Sequence, residues 1–200
     1  MNNYSLVGRS EDNFIVVDEA VNAGGLTIEI KGRGNRVIIE EGCTLNETFI
    51  RFWGNNNCVH ISRKTKICGR FLFDGDEQQL LIGESTTFER VNIVLAEGCS
   101  VSIGKDCMLS FGIQIRTSDA HSVLDATTRV RTNPSKNIFI DDHVWVGAEA
   151  IIQKGSSIPK NSIVGIRSVV AGAFINPNVA IAGIPAKIVK ENIDWDRKLI

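Results

Sequence analysis

The sequence is poor in proline, methionine and aromatic residues, and it has no excess of charge of either sign. Proline occurs four times and methionine twice among 200 residues, and Phe, Trp and Tyr make up 6%. Lys and Arg number 22 against 23 Asp and Glu. This balance argues against binding of nucleic acid or of an anionic membrane through a large positive net charge. No apolar run reaches 18 residues, so no membrane-spanning helix is predicted. The first six residues lack the basic and apolar stretches of a secretory signal, and none is predicted.

Cysteine is present in odd number and without the C-x-x-C spacing of redox or zinc sites. We therefore expect reduced, mostly buried thiols in a cytoplasmic protein. The length fits a single domain. Glycine occurs 18 times beside abundant Ile and Val, which favours many short strands joined by tight turns. The five cysteines are Cys43, Cys58, Cys68, Cys99 and Cys107.

The second half of the chain repeats every six residues. A branched aliphatic residue recurs at Ile140, Val146, Ile152, Ile158, Val164 and Val170. Four positions after each stands a companion that is mostly small, at Val144, Ala150, Ser156, Ser162, Ser168 and Phe174. A helix repeats every three to four residues and a two-faced strand every two, so neither explains a period of six. The pattern predicts an all-β solenoid with triangular turns, in which the aliphatic side chains point inward and the small residues allow the corners.

The first half shows a longer form of the same repeat. A row of isoleucines recurs at intervals of 22, 21 and 21 residues, each at the end of a phrase that contains a polar, glycine-bearing turn: Ile39, Ile61, Ile82 and Ile103. Three units of six make 18 residues, so these turns carry about three extra residues in a wider corner. The sequence predicts an N-terminal cap over 1–25, the solenoid over 26–187, and a C-terminal tail or short helix over 188–200.

One polar excursion interrupts the repeats. Residues 116–137 contain one histidine, two aspartates and three arginines between two stretches of regular pattern. Long loops that leave a regular scaffold are usually functional or disordered, and the histidine favours a site.

The repeats and this loop together resemble a known family. The six-residue repeats, the loop motif Thr117-Ser-Asp-Ala-His-Ser122, the phrase Asp141-Asp-His-Val-Trp-Val-Gly147 and the ending Ala182-Gly-Ile-Pro-Ala-Lys187 are similar to the hexapeptide-repeat acyltransferases. Within that group, the sequence resembles the bacterial O-acetyltransferases of capsule and O-antigen sugars, among them the polysialic-acid enzymes. The resemblance covers about residues 80–190 well and the earlier turns more loosely.

The resemblance implies a fold, an assembly and an activity. The fold is a left-handed parallel β-helix, an exception to the usual right-handed crossover. The assembly is a homotrimer, with acetyl-CoA in the groove between neighbouring coils. The activity is acetyl transfer to a sugar hydroxyl of a bacterial surface polysaccharide, with a loop histidine as the base and no metal.

Three residues are predicted to carry the chemistry. A sugar hydroxyl is a weak nucleophile, so a base must take its proton, and histidine exchanges a proton near neutral pH. His121 occupies the position of the family's catalytic histidine. Asp119 or a backbone carbonyl would accept a hydrogen bond from the other ring nitrogen of His121. Alternatively, Asp119 only forms the turn. Trp145 is too large for the inside of a six-residue turn, so it should point outward to the acetyl-pantetheine arm or the acceptor, or pack against a neighbouring subunit.

Coenzyme A contacts are carried over by motif position. Main-chain contacts are expected at Ala148, Ile166, Ala171 and Gly172. Lys187, with Lys190, would face the phosphates, unless both lysines lie in a solvated tail. Arg116, Arg129 and Arg131 flank or occupy the loop, and one of them would pair with the carboxylate of an acidic acceptor, although a solvated loop charge explains them equally well.

Other functions remain open at this stage. A nucleotide sugar, a free sugar or an antibiotic is the alternative acceptor. A carbonic-anhydrase-like zinc site needs three converging histidines, but His60 is several turns from His121 and His143. We expect His60 and His143 to be structural residues or to lie on the surface. A purely structural solenoid would show a flat ladder of repeated Thr or Asn, and none is predicted. No cysteine accompanies the loop histidine, so direct transfer without an acyl-enzyme is expected.

Overall fold

The computed structural model describes residues 4–9 and 11–200. These residues contain nineteen β-strands, joined by turns and loops, and no helix. Accordingly, no helix among these residues is able to cross a membrane. A twelve-stranded sheet contains β1 (Ser5–Gly8), β3 (Leu26–Ile30), β5 (Thr44–Phe52), β7 (Lys66–Asp74), β9 (Thr87–Ala96), β11 (Met108–Arg116), β13 (Trp145–Val146), β14 (Ile151–Gln153), β16 (Ile163–Val164), β17 (Val169–Val170), β18 (Val179–Gly183) and β19 (Ala186–Glu191). A seven-stranded sheet contains β2 (Phe14–Val17), β4 (Arg36–Ile39), β6 (Cys58–Ile61), β8 (Gln79–Ile82), β10 (Ser100–Ile103), β12 (Ile138–Ile140) and β15 (Ser157–Ile158).

The strands form a parallel β-solenoid. The seven-stranded sheet takes one strand from each successive turn, in the order β15-β12-β10-β8-β6-β4-β2, and all its pairs are parallel. The long strands β5, β7, β9 and β11 each run through a corner, where the pairing register shifts, and so cover two sides of a turn. The predicted all-β solenoid is confirmed, and its architecture is that of the left-handed β-helix acyltransferases.

The core is a set of stacked aliphatic columns. One column follows the register from Ile39 through successive turns to Ile158, and each member is at most 2% exposed: Ile39, Ile61, Ile82, Ile103, Ile140 and Ile158. The column therefore joins the 21- to 22-residue repeat of the first half to the six-residue repeat of the second. Each turn buries apolar area against its two neighbours, so the free energy of the core accumulates turn by turn.

The corners of the second half have a strict six-residue rhythm of their own. Backbone φ is positive at His143, Glu149, Gly155, Asn161 and Arg167. The small companions predicted from the sequence lie just inside these corners, and Ala150, Ser156, Ser162 and Ser168 are at most 1% exposed. Only one of the five corner residues is glycine, so the other four hold the left-handed conformation at some cost in strain.

The wider corner of the first half contains a buried amide ladder. The side-chain oxygen of Asn13 accepts from the backbone and side-chain nitrogens of Asn35, and Asn35 does the same for Asn57. Asn57 then accepts from the backbone N–H of Gln78. The sequence analysis predicted no flat ladder of Thr or Asn, and this set of amides is a different feature. The ladder is internal, and it satisfies buried corner groups instead of forming a flat external face.

Both ends of the coil differ from the expected boundaries. Residues 1–3 and 10 of the expected cap lie outside the described residues. Within the rest, β1 pairs in parallel with β3 and β2 with β4, so both of these strands already belong to the stacked turns. At the other end, β19 folds back antiparallel on β18, and residues 186–191 form a strand instead of a tail or helix. The sequence missed both because each end strand is covered on one side only, which weakens the burial pattern.

Candidate active site

The long loop is an ordered hairpin between β11 and β12. Leu124 pairs antiparallel with Arg131, and the backbone N–H of Thr132 donates to the carbonyl of Val123 at 2.8 Å. At the tip, the carboxylate of Asp125 accepts from the N–H groups of residues 127 and 128 and from the Thr128 hydroxyl. The Thr128 and Thr127 hydrogen bonds hold the pKa of Asp125 below its ordinary value. These contacts order the loop that carries His121.

Asn133 is the central polar residue of this loop. Its Nδ2 donates to the backbone carbonyl of His121 at 2.9 Å and to Oδ2 of Asp119 at 2.7 Å. Its Oδ1 accepts from the N–H of Val123 at 2.7 Å and from Nε of Arg131 at 3.3 Å. One half-buried side chain therefore ties together both strands of the hairpin and the backbone of the candidate base. The sequence analysis did not single out Asn133.

Lys154 anchors the loop to the next turn of the coil. It follows β14 directly, and its Nζ lies 2.5 Å from Oδ2 of Asp119 and 3.0 Å from the carbonyl of Asn133. The ammonium of Lys154, with the amide of Asn133, holds the pKa of Asp119 below its ordinary value. Asp119 therefore stays ionised, with its Oδ2 already engaged by two donors.

His121 itself is exposed, and its ring forms no hydrogen bond with any part of the chain that the structure describes. The preceding residue, Ala120, has a φ of 65°, and its N–H donates to the hydroxyl of Ser118, so a tight turn presents the imidazole outward. Asp119 contacts His121 only indirectly, through the shared donor Asn133. The expected direct bond from Asp119 to the ring is thus absent in this conformation, and the side chain is bonded to Lys154 instead.

Trp145 points outward from the coil, as expected from its size. It is 37% exposed, while the next residue, Val146, is fully buried. Its strand pairs with Met108 and Leu109 at the start of β11, whereas the loop leaves the end of β11 beyond a corner. A cavity of about 400 Å³ lies beside the indole, lined by Lys66, Thr87, Phe88, Glu89, Met108, Leu109, Ser110 and Trp145. His121 and Trp145 of one chain are therefore on different sides of the triangular section.

The C-terminal segment packs on the coil in this region. The ring of Trp195 stacks on His143 at 4.3 Å with an interplanar angle of 10°, and its centroid lies 6.2 Å from that of Trp145. Its Nε1 donates to the carbonyl of His143 at 2.9 Å. Arg197 donates to Oδ1 of Asp106 at 3.0 Å and to the hydroxyl of Thr87 at 2.9 Å. The segment thus covers the side of the coil next to Trp145.

His143 is the link between that segment and the coil. Its Nδ1 lies 2.7 Å from Oδ2 of Asp106 and its Nε2 3.1 Å from the carbonyl of Trp195. Burial lowers the pKa of His143, but the hydrogen bonds to Asp106 and to the Trp195 carbonyl outweigh burial and raise it above its ordinary value. Both ring nitrogens face acceptors, which fits the doubly protonated imidazolium. The third histidine, His60, lies 2.7 Å from Oε1 of Glu40 on the outside of earlier turns.

The residues predicted for coenzyme A fall into two groups. Ala148 and Ile166 lie on the same corner of consecutive turns, where the N–H of Arg167 donates to the carbonyl of Ala148. Lys187 pairs with Ala182, and Ala182 stands against Gly165, so this corner continues to the exposed lysines of β19. Lys190 pairs with Ala180 on the same hairpin. Ala171 and Gly172 form a second group on the next side, where the Gly172 carbonyl accepts from Ser157.

The described residues contain no group of three or more His, Cys, Asp or Glu side chains placed to hold a metal ion. All five cysteines are free thiols. Burial raises the pKa of Cys107 to about 12, so this thiol is a poor nucleophile.

Comparison with known proteins decides the family. The chain is 38% identical over 196 residues to the polysialic acid O-acetyltransferase of Neisseria meningitidis, a match that spans 98% of this chain and 90% of that protein. The chain belongs to the polysialic acid O-acetyltransferase family. A comparison with models of protein families gave no match.

Two solved structures of this family superpose on nearly the whole chain. The polysialic acid O-acetyltransferase OatWY matches with a TM-score of 0.90 and 35% identity, covering 98% of this chain and 92% of that one. The polySia-specific acetyltransferase NeuO matches with a TM-score of 0.89 and 32% identity, covering 98% and 90%. As a member of this family the protein is an acetyltransferase, and the resemblance stated from the motifs is confirmed.

Proposed function

We propose that the protein transfers the acetyl group of acetyl-CoA to hydroxyl groups of polysialic acid, a bacterial capsule polymer. The observation that carries this proposal is the match over 98% of the chain to a polysialic acid O-acetyltransferase, in a coil whose one long loop presents an exposed histidine. The free thiols fit a reducing compartment, and we place the reaction in the cytoplasm.

His121 acts as the general base. Its imidazole accepts the proton of the acceptor hydroxyl as the oxygen attacks the thioester carbonyl, and then returns that proton to the sulfur of the leaving thiol. Acetyl-CoA supplies the activated acetyl group. Transfer is direct, because no cysteine lies in the loop beside His121 and burial raises the pKa of the Cys99 and Cys107 thiols. Asp119 acts on the base indirectly, since Lys154 and Asn133 hold its carboxylate and Asn133 also holds the carbonyl of His121.

The corner that runs from Ala148 through Ile166 to Lys187 fits a CoA site. It offers main-chain groups and the apolar side chains of Ala148 and Ile166 to the pantetheine arm, and it ends at the exposed cations Lys187 and Lys190 for the phosphates. Ala171 and Gly172 contribute main-chain groups on the adjoining side. Trp145 packs against the reacting acetyl group or the acceptor, with its indole N–H available as a donor.

We place each active centre between two copies of the chain in a homotrimer. His121 and Trp145 lie on different sides of one coil, so a groove between neighbouring coils brings His121 of one copy to Trp145 of another. Large apolar side chains are exposed in the second half of the coil at Ile166, Ile175 and Ile184, with 66%, 86% and 76% of their surface accessible, which favours association.

The first experiment is thiol release from acetyl-CoA with a panel of acceptors: polysialic acid, neutral capsule polymers, free sugars and nucleotide sugars. We expect turnover with polysialic acid, lowered about a hundredfold to ten-thousandfold in His121→Ala. His60→Gln is the matched control, because His60 bonds Glu40 far from the loop, and it should retain activity. Turnover with small acceptors alone would contradict the polymer acceptor, and equal turnover in His121→Ala would contradict the base.

A further inference from the structure

A second cavity lies at the base of the loop, on the same side of the coil as the end of β11. Its volume is about 310 Å³, and its lining is Arg116, Ser118, Asp119, Ile151, Gln153 and Lys154. Binding sites for small molecules begin at about 300 Å³, so this space suits one sugar residue. The cavity adjoins the candidate base, because Asp119 in its wall shares the donor Asn133 with the carbonyl of His121.

The cavity contains two cations but only one anion. Lys154 is compensated, since its ammonium contacts the carboxylate of Asp119 at 2.5 Å. Arg116 has no ion-pair partner among residues 4–9 and 11–200. The sheet register explains this, because its cross-strand neighbours are Val94 on one side and Gln153 on the other, and neither carries a charge.

The other two arginines of the loop are placed differently. Arg131 donates to Oε1 of Glu97 at 2.8 Å, and this contact with Arg131 holds the pKa of Glu97 below its ordinary value. Arg129 lies at the tip of the hairpin with a φ of 59°, outside the cavity lining. Arg116 alone among the three combines a place in the cavity with an uncompensated charge.

We propose that Arg116 binds the carboxylate of the acceptor sugar and thereby selects an acidic sugar for acetylation. A guanidinium pairs with a carboxylate through two parallel hydrogen bonds, which fixes the orientation of the sugar as well as its charge. Ser118 and Gln153 add neutral donors in the same wall. This inference rests on the proposed transfer to polysialic acid, and it assigns the residue that recognises the acid group of that substrate.

The test compares acceptors with and without their carboxylates. Oligosialic acid and the same oligomer with its carboxylates converted to amides are given to the wild type, Arg116→Gln, Arg116→Lys and Arg129→Gln. For Arg116→Gln we expect the KM for oligosialic acid to rise about tenfold to a hundredfold, the cost of losing a hydrogen bond to a charged group. The KM for acetyl-CoA should stay unchanged, Arg116→Lys should be intermediate, and Arg129→Gln should behave as the wild type.

The amide acceptor provides the independent check, because it uses the unaltered protein. The wild type should bind it about as weakly as Arg116→Gln binds the acid, and Arg116→Gln should not distinguish the two acceptors. If Arg116→Gln prefers the acid as strongly as the wild type does, Arg116 is not the carboxylate partner, while the proposed function stands. If the wild type acetylates no acidic acceptor, the proposed function and this inference both fail.

Discussion

At the scale of single residues, the proposed site depends on side chains that hold the candidate base in place. Asn133 makes four hydrogen bonds through its side chain, and two of them meet Asp119 and the backbone of His121. An error of about 1 Å in the position of a catalytic group can cost a hundredfold in rate. We therefore expect Asn133 to affect catalysis by positioning the proposed base His121.

Replacing Asn133 tests this positioning role. For Asn133→Ala we expect kcat to fall about tenfold to a hundredfold, with little change in the KM for acetyl-CoA, because the loop shifts while the coil stays intact. Steady-state kinetics with polysialic acid measures the effect. Thr127→Ala at the tip of the same loop is the control, since its side chain forms no hydrogen bond with the described residues. An unchanged kcat in Asn133→Ala would remove the positioning role.

At the scale of elements, the close stacking of turns sets strict limits on some corners. A Cβ atom on Gly54 would overlap the carbonyl oxygen of Gly75, and one on Gly32 would overlap that of Gly54. Both obstacles are backbone atoms, so neither can move aside without shifting a whole turn.

Gly54→Ala should therefore destabilise the coil by about 1–3 kcal/mol, the usual cost of overpacking. Thermal unfolding measures the loss. Gly172→Ala is the matched control, because its Cβ would meet open space, and it should change the melting temperature little. Equal melting temperatures for the two variants would show that the stacked corner can relax.

The docked C-terminal segment should respond to pH through His143. Its pKa is raised in the folded state, so its contribution to stability is full below the ordinary value of 6.5 and is lost as pH rises through the folded pKa. The groups that face it are Asp106 and Asp194, with Arg197 also bound to Asp106. We expect the wild type to lose a few degrees of thermal stability, or the stacked environment of Trp195, between about pH 6 and pH 8.

His143→Asn is the appropriate comparison for that measurement. The same corner of the next two turns holds Asn161 and Asn178, both at positive φ, so asparagine suits the backbone there. Tryptophan fluorescence of His143→Asn should show no comparable change over the same pH range. A change of equal size in both proteins would assign the pH dependence to another group.

The sequence predicted those elements whose signal repeats along the chain. The isoleucines of the column from Ile39 to Ile158 and the small corner residues recur at fixed intervals. Each turn therefore supports the predicted position of the next turn. Contacts that occur once have no such signal. Trp195 contacts His143, which lies 52 residues earlier in the chain, and Arg197 contacts Thr87, which lies 110 residues earlier. The local sequence pattern predicts neither contact. His121 and Trp145 were found as candidates through motif positions, whereas Asn133 and Lys154 gain their roles only from three-dimensional proximity.

At the scale of the whole molecule, the separation of His121 and Trp145 makes a shared active centre testable. His121→Ala and Trp145→Ala should each be inactive alone. Coexpressed in equal amounts, they should recover about a quarter of wild-type activity, because in a ring of like contacts that fraction of sites pairs an intact His121 with an intact Trp145 of the neighbour. Thiol release by the whole purified trimer population, which includes the trimers of a single variant, is the readout. No recovery, despite proven mixing of subunits, would place both residues within one chain's site.

The contacts of Arg197 also bear on how the enzyme is made. Each turn of the coil touches only its neighbours, so the turns are able to form one after another as the chain leaves the ribosome. Arg197, however, bonds Thr87 and the carbonyl of Cys107, in turns completed about 90–110 residues earlier. The wall beside Trp145 therefore stays uncovered on a nascent chain until Arg197 has been synthesised and has reached Thr87.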